Sequence, residues 1–175
     1  MNRNVAGQNP NLGGGQRESR WLTPRPIVEA LGHFDLDPCG APGHTLATVT
    51  YQIDDGEDGL VLPWSGRVWL NPPYGRLTAP FLAKLAAHGR GTALVFARTE
   101  TRMFFESVWP MASAVCFIAG RLTFLDASGT AASGDAGAPS VLIAYGDDDT
   151  AALHASNLGH VVELHPSRPC GEVAS

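Results

Sequence analysis

Residues 67–97 read Arg-Val-Trp-Leu-Asn-Pro-Pro-Tyr-Gly-Arg-Leu-Thr-Ala-Pro-Phe-Leu-Ala-Lys-Leu-Ala-Ala-His-Gly-Arg-Gly-Thr-Ala-Leu-Val-Phe-Ala. Residues 67–70 suit a short strand that must stop at the two prolines, which have no N–H for a sheet ladder. Residues 78–88 place Phe81, Leu82, Leu85 and Ala86 at helical spacing, and Gly89 is a natural stop. Residues 93–97 are continuously apolar, which predicts a strand buried on both faces of a parallel sheet. A second helix is expected over 101–109 and a further strand over 114–118. Strand–helix–strand–helix–strand implies an α/β domain with parallel pairing and right-handed crossovers. Beyond it, Gly120 turns the chain into expected strands at 122–125 and 141–145, an antiparallel hairpin closing the sheet. Toward the N-terminus, Thr23 and Pro24 can open a short helix that Gly32 can end. Strands are expected at 34–37 and 49–53. The loops after 34–37 and 67–70 then lie at the carboxyl ends of strands, where α/β sheets bind ligands.

The chain has 175 residues, 44% apolar and 17% charged, which predicts one globular domain. Residues 1–20 read as a flexible basic tail, 21–146 as the domain, and 147–175 as a weakly structured segment in which Asp147-Asp148-Asp149 forms a solvated turn. No apolar run approaches the roughly 18 residues of a membrane span, and the first residues contain no secretory signal. Cys39, Cys116 and Cys170 fit neither a disulfide framework nor a zinc pattern, which suits a reducing cytoplasm. No third ligand joins Asp35 and Asp37, so no metal is expected. The net charge of −5 hides a pattern. Residues 26–66 contain seven acids and no Lys or Arg, whereas 67–121 contain Arg67, Arg76, Lys84, Arg90, Arg98, Arg102 and Arg121 against two acids. An acidic block suits a cationic ligand, and a basic block suits a polyanion.

Asn71-Pro72-Pro73-Tyr74 is a stiff loop. Its prolines offer carbonyl acceptors and no backbone donors, and Asn71 adds a side-chain carbonyl. The complement of such a cluster is a flat group bearing an NH₂, with the Tyr74 ring available for stacking.

This loop resembles the catalytic motif of amino-directed, S-adenosylmethionine-dependent methyltransferases. Asp37-Pro38-Cys39-Gly40 resembles their cofactor loop, and Thr23-Pro24 the segment before it. The order of Trp21-x-Thr23-Pro24, Phe34-Asp35-Leu36-Asp37, residues 55–60, Trp64, residues 71–75, Arg98-Thr99-Glu100-Thr101 and Gly120-Arg121-Leu122-Thr123-Phe124 is similar to the compact phage-type DNA N6-adenine methyltransferases. The likeness spans about residues 21–145. It implies an abbreviated Rossmann-like class I methyltransferase fold, with a mostly parallel sheet and a C-terminal antiparallel hairpin. Only residues 38–70 separate the cofactor loop from the catalytic motif, about one βαβ unit. The resemblance implies catalysis by Asn71, Pro72, Pro73 and Tyr74. S-adenosyl-L-methionine would be held by Trp21, Thr23, Asp35, Asp37, Pro38 and Cys39, with Asp54 and Asp55 as ribose candidates. DNA would be held by Arg76, Arg98, Arg102 and Arg121. Phe124 either supports an extruded base or packs the core. The expected setting is the cytoplasm of a phage-infected bacterium, with no membrane partner.

The same acceptor cluster would serve a base in RNA, a glutamine amide in a protein, or cytosine N4. A non-catalytic nucleic-acid-binding protein on a degenerate methyltransferase fold is the alternative from a different class.

Overall fold

The computed structural model of the chain describes residues 22–52, 55–126, 129–131 and 136–165. The expected tail at 1–20, Trp21 and Asp54 lie outside the described residues. Within them the chain forms helix α1 (Arg25–Glu29), strands β1 (Leu36–Asp37), β2 (Val49–Thr50) and β3 (Val68–Leu70), helix α2 (Thr78–His88), strands β4 (Gly91–Phe96), β5 (Ala114–Ile118) and β6 (Ser140–Tyr145), helix α3 (Asp147–Ser156) and strand β7 (Gly159–Glu163). A π-helical turn, Phe104–Val108, lies between β4 and β5.

The seven strands form one sheet in the order β2-β1-β3-β4-β6-β5-β7. Its first half is parallel: Leu36 pairs with Val49 and with Val68, and Val68, Trp69 and Leu70 pair with Gly91, Thr92 and Ala93. Its second half is antiparallel, with β6 between β4 and β5 and β7 along the outer edge of β5. The molecule is therefore mixed α/β, as expected, but antiparallel pairing takes half of the sheet. Strand periodicity sorts the core into two layers. Val68, Leu70, Ala93 and Val95 face α2 and the π-helical turn. Trp69, Leu94, Leu142 and Ala144 face α1 and α3.

The helix expected at 78–88 forms with those bounds, and Gly89 closes it at φ 75°, a left-handed geometry that glycine adopts without strain. Two expectations fail. Residues 122–125 form no strand; Leu125 makes only a bridge to Leu22. The reason is topological. β6 has β4 on one side and β5 on the other, and β7 fills the outer edge of β5, so neither of the strands that flank 122–125 in the chain has a free side to pair with it. The closing antiparallel pair is instead β5 with β6.

The second failure is the weakly structured C-terminus, because 147–163 holds α3 and β7. Asp147, Asp148 and Asp149 occupy the first turn of α3, where carboxylates favour the helix dipole. Asp149 is fully buried. Its Oδ1 accepts from Arg67 Nε at 2.9 Å and from Thr92 Oγ1 at 2.7 Å. Arg67 also donates to the Leu31 and His33 carbonyls and lies over the Phe34 ring, so it ties helices to sheet and is withdrawn from the basic surface.

Candidate active site

Strand direction gathers the site. In β1 and β3 the carboxyl ends lie side by side, and both strands are cut short by proline: Asp37 precedes Pro38, and Asn71 precedes Pro72. The two loops leaving these ends face each other across a cleft with about 910 Å³ of empty space, its open mouth included. Its walls bring Thr23, Asp37, Pro38 and Cys39 together with Asn71, Pro72, Pro73 and Tyr74, residues far apart in the chain.

Asp37 is 4% exposed. Its Oδ1 accepts the Cys39 N–H at 3.0 Å, and among the described residues no cation stands against it. Burial pushes its carboxyl up to about 7, against which the Cys39 N–H pulls only weakly. Thr23 Oγ1 and Trp69 Nε1, also in the cleft wall, are buried without a partner among the described residues. A buried carboxylate lacking a counter-ion, beside unspent polar atoms, is a site shaped for a cationic polar ligand. His44 closes one side by donating Nε2–H to the Thr23 carbonyl at 2.9 Å, and burial lowers its pKa.

On the other wall, Thr78 Oγ1 donates to the Pro73 carbonyl at 2.9 Å, which ties the proline loop to α2 and uses one of its two proline acceptors. Tyr74 stacks on Phe96 with centroids 4.5 Å apart, and Phe124 meets it edge-on at 6.3 Å. One face of Tyr74 is thus occupied within the protein. The Tyr74 hydroxyl is buried with no partner among the described residues. Tyr74→Phe should therefore leave the melting temperature unchanged or raise it slightly, since the buried hydroxyl contributes desolvation cost without a bond. Thermal unfolding monitored by circular dichroism checks this. A second, more open cleft lies beyond Tyr74, lined by Thr78, Val95, Phe96, Arg98, Thr101 and Met103.

Several expected residues stand elsewhere. Asp35 precedes β1 and accepts the Arg67 N–H at 2.6 Å through Oδ2, with His33 at 3.6 Å; it does not line the cleft. Asp55 is exposed and also lies outside it, whereas Glu57 and Asp58 line it. Phe124 is 4% exposed and packs the core, so of its two readings the core one holds. The basic block divides by strand end. Arg76, Arg98 and Arg121 are exposed just beyond the carboxyl ends of β3, β4 and β5, the cleft edge of the sheet, and Arg102 follows four residues after Arg98. Arg102 pairs with Glu106 at 2.6 Å on the surface. Arg90 precedes β4 at the opposite edge and pairs with Asp148.

A family model for DNA N-6-adenine-methyltransferase (Dam) matches residues 15–157. The chain belongs to this family. The Dam match begins before the described residues and runs through the cleft, the proline loop and α3. No curated protein and no solved structure matches the chain. The family's name gives the chemistry for which its sequences are known, methylation of adenine N6 in DNA. Among the described residues, no helix of this Dam-family chain is long and apolar enough to cross a membrane.

Proposed function

We propose that the chain is an S-adenosyl-L-methionine-dependent enzyme that methylates N6 of an adenine flipped out of DNA, working on an abbreviated Rossmann-like class I sheet. One observation carries this reading: the buried Asp37, with no counter-ion among the described residues, and the acceptor loop Asn71–Tyr74 line the same cleft. When bound, the cofactor supplies a methyl group on a cationic sulfur. Asp37, with Thr23, Pro38 and Cys39, would hold its positively charged end. Glu57 and Asp58, in place of Asp55, would meet its ribose.

Asn71 through its side-chain carbonyl, and Pro72 through its backbone carbonyl, would accept the two N–H groups of the adenine amine. The Pro73 carbonyl is already taken by Thr78. Two acceptors on one amine draw its nitrogen toward tetrahedral geometry and aim its lone pair at the methyl. Positive charge grows on that nitrogen as the new bond forms, so fixed acceptors bind the transition state more tightly than the ground state. No general base is needed, because a methylated, positively charged amine loses its proton to water. The base would enter past Tyr74 from the second cleft, after leaving the duplex stack. Arg76, Arg98 and Arg121, joined by Arg102 when it leaves Glu106, would hold the phosphates on either side. The setting consistent with this is the cytoplasm of a phage-infected bacterium.

Transfer of a labelled methyl group from S-adenosylmethionine to DNA, RNA and protein, offered in parallel, tests the reading: label should appear in DNA. If four arginines neutralise phosphate, DNA affinity should fall about 10²-fold between 50 and 200 mM salt. A titration followed by fluorescence anisotropy measures the slope, and a flat response contradicts the phosphate assignment.

A further inference from the structure

We infer that Lys84, together with Trp64, is a positioning residue that holds the acidic wall of the cofactor cleft in place. The inference rests on the cofactor reading of that cleft. Lys84 stands on α2 and does not line the cleft. Its ammonium has three N–H donors. They go to the carbonyls of Gly59 at 3.0 Å, Leu60 at 2.9 Å and Leu62 at 2.6 Å. Nothing remains for a phosphate, so Lys84 leaves the basic surface as Arg67 does, but for a different task.

Trp64 completes the clamp. Its Nε1–H reaches the same Gly59 carbonyl at 2.7 Å, and its ring lies 5.0 Å from the Lys84 ammonium. That ring stacks on Phe81, itself a cleft residue. The clamped segment is the one carrying Glu57 and Asp58. The Asp58 carboxylate accepts the Leu60 N–H at 2.8 Å, and Glu57 accepts the Gln52 N–H at 3.1 Å. Gly59 presses directly on the Pro38 carbonyl, where a Cβ would collide. The segment therefore touches the Asp37–Pro38 loop on one side and Lys84 on the other. Two acids that would repel each other and an anionic Asp37 are kept at the cleft by a cation behind them.

Lys84→Met keeps the stem and removes the charge and its three hydrogen bonds. It should raise the dissociation constant for S-adenosylmethionine about tenfold, as expected for losing charge-assisted bonds. Turnover at saturating cofactor and DNA affinity should not change. Amide hydrogen exchange over residues 57–62 should speed up in the ligand-free protein. Lys84→Arg, which keeps a cation, should recover most of the cofactor affinity, and Trp64→Phe, which removes only the indole N–H, should shift it in the same direction by less. Unchanged exchange over 57–62 in Lys84→Met overturns the clamp, whatever the ligand is. An unchanged cofactor dissociation constant, or a parallel loss of turnover and DNA affinity, overturns its assignment to the cofactor. Failure of the wild-type protein to bind S-adenosylmethionine overturns the cofactor reading itself, and the exchange measurement still decides whether Lys84 holds the loop.

Discussion

Replacing Asn71 with alanine should lower turnover by about 10²–10³-fold, the cost of deleting one fixed polar contact to a charge that develops during reaction. The loss should fall on turnover rather than on binding. The cofactor would be held mainly by the opposite wall, through Asp37, Thr23 and the segment bearing Glu57 and Asp58, none of which the substitution touches. An acceptor that strengthens only as the amine becomes positive contributes little to ground-state affinity. The fold should survive, because Asn71 lies just beyond β3 and the strand pairing of Val68, Trp69 and Leu70 does not depend on its side chain. Single-turnover methylation, with cofactor affinity measured in parallel by calorimetry, separates the two effects. A tenfold or smaller loss of turnover would show that Asn71 is not the principal acceptor.

Asp37→Asn should act in two opposite directions. In the ligand-free protein the buried carboxyl ionises only near pH 7, against an ordinary value of 3.8. The folded state then binds a proton that the unfolded state has lost, so stability falls as pH rises from about 4 to about 7. Asparagine is neutral at every pH and escapes this penalty. The substitution should stabilise the ligand-free protein by up to about 4 kcal/mol above pH 7, and the gain should vanish below about pH 4. Cofactor binding should show the reverse. A cation needs the ionised carboxylate, so wild-type affinity should weaken about tenfold for each unit of pH below about 7 and level off above it. Asp37→Asn should lose about 10²-fold or more in affinity and most of this pH dependence. His44 shares the cleft, and the residual slope in the variant measures its part. Chemical denaturation and calorimetric titration across pH 5–9 test both arms. A variant that melts below wild type at pH 8 would mean that Asp37 is already satisfied within the protein.

Local chemistry was the legible part of this sequence. Two prolines after a short apolar strand fix where β3 stops, and the loop that follows is a set of acceptors whatever surrounds it. The spacing of Phe81, Leu82 and Leu85, with Gly89 behind them, gives α2 its bounds. Asp37 before Pro38 ends β1 in the same way. Pairing order was not legible, because it is settled between distant segments. Nothing in 114–145 shows that β6 inserts between β4 and β5, and that insertion is what denies 122–125 a partner. The half-exposed β7 carries only the neighbouring pair Val161 and Val162 as an apolar signal.

Charge was legible as blocks and not as contacts. Asp55, Glu57 and Asp58 follow one another in an irregular loop without a periodic phase, so sequence could not choose which of them line the cleft. Arg67 and Lys84 look like any other cations until the carbonyls they serve are seen. Asp149 ends a run of three acids that reads as surface, yet Arg67 and Thr92 draw it into the interior.

The most direct test is mass spectrometry of nucleosides from DNA incubated with the purified protein and S-adenosylmethionine. N6-methyladenine should accumulate with the wild-type chain and fall at least 10²-fold with Asn71→Ala. DNA that stays unmodified, or that gains N4-methylcytosine instead, would contradict the account.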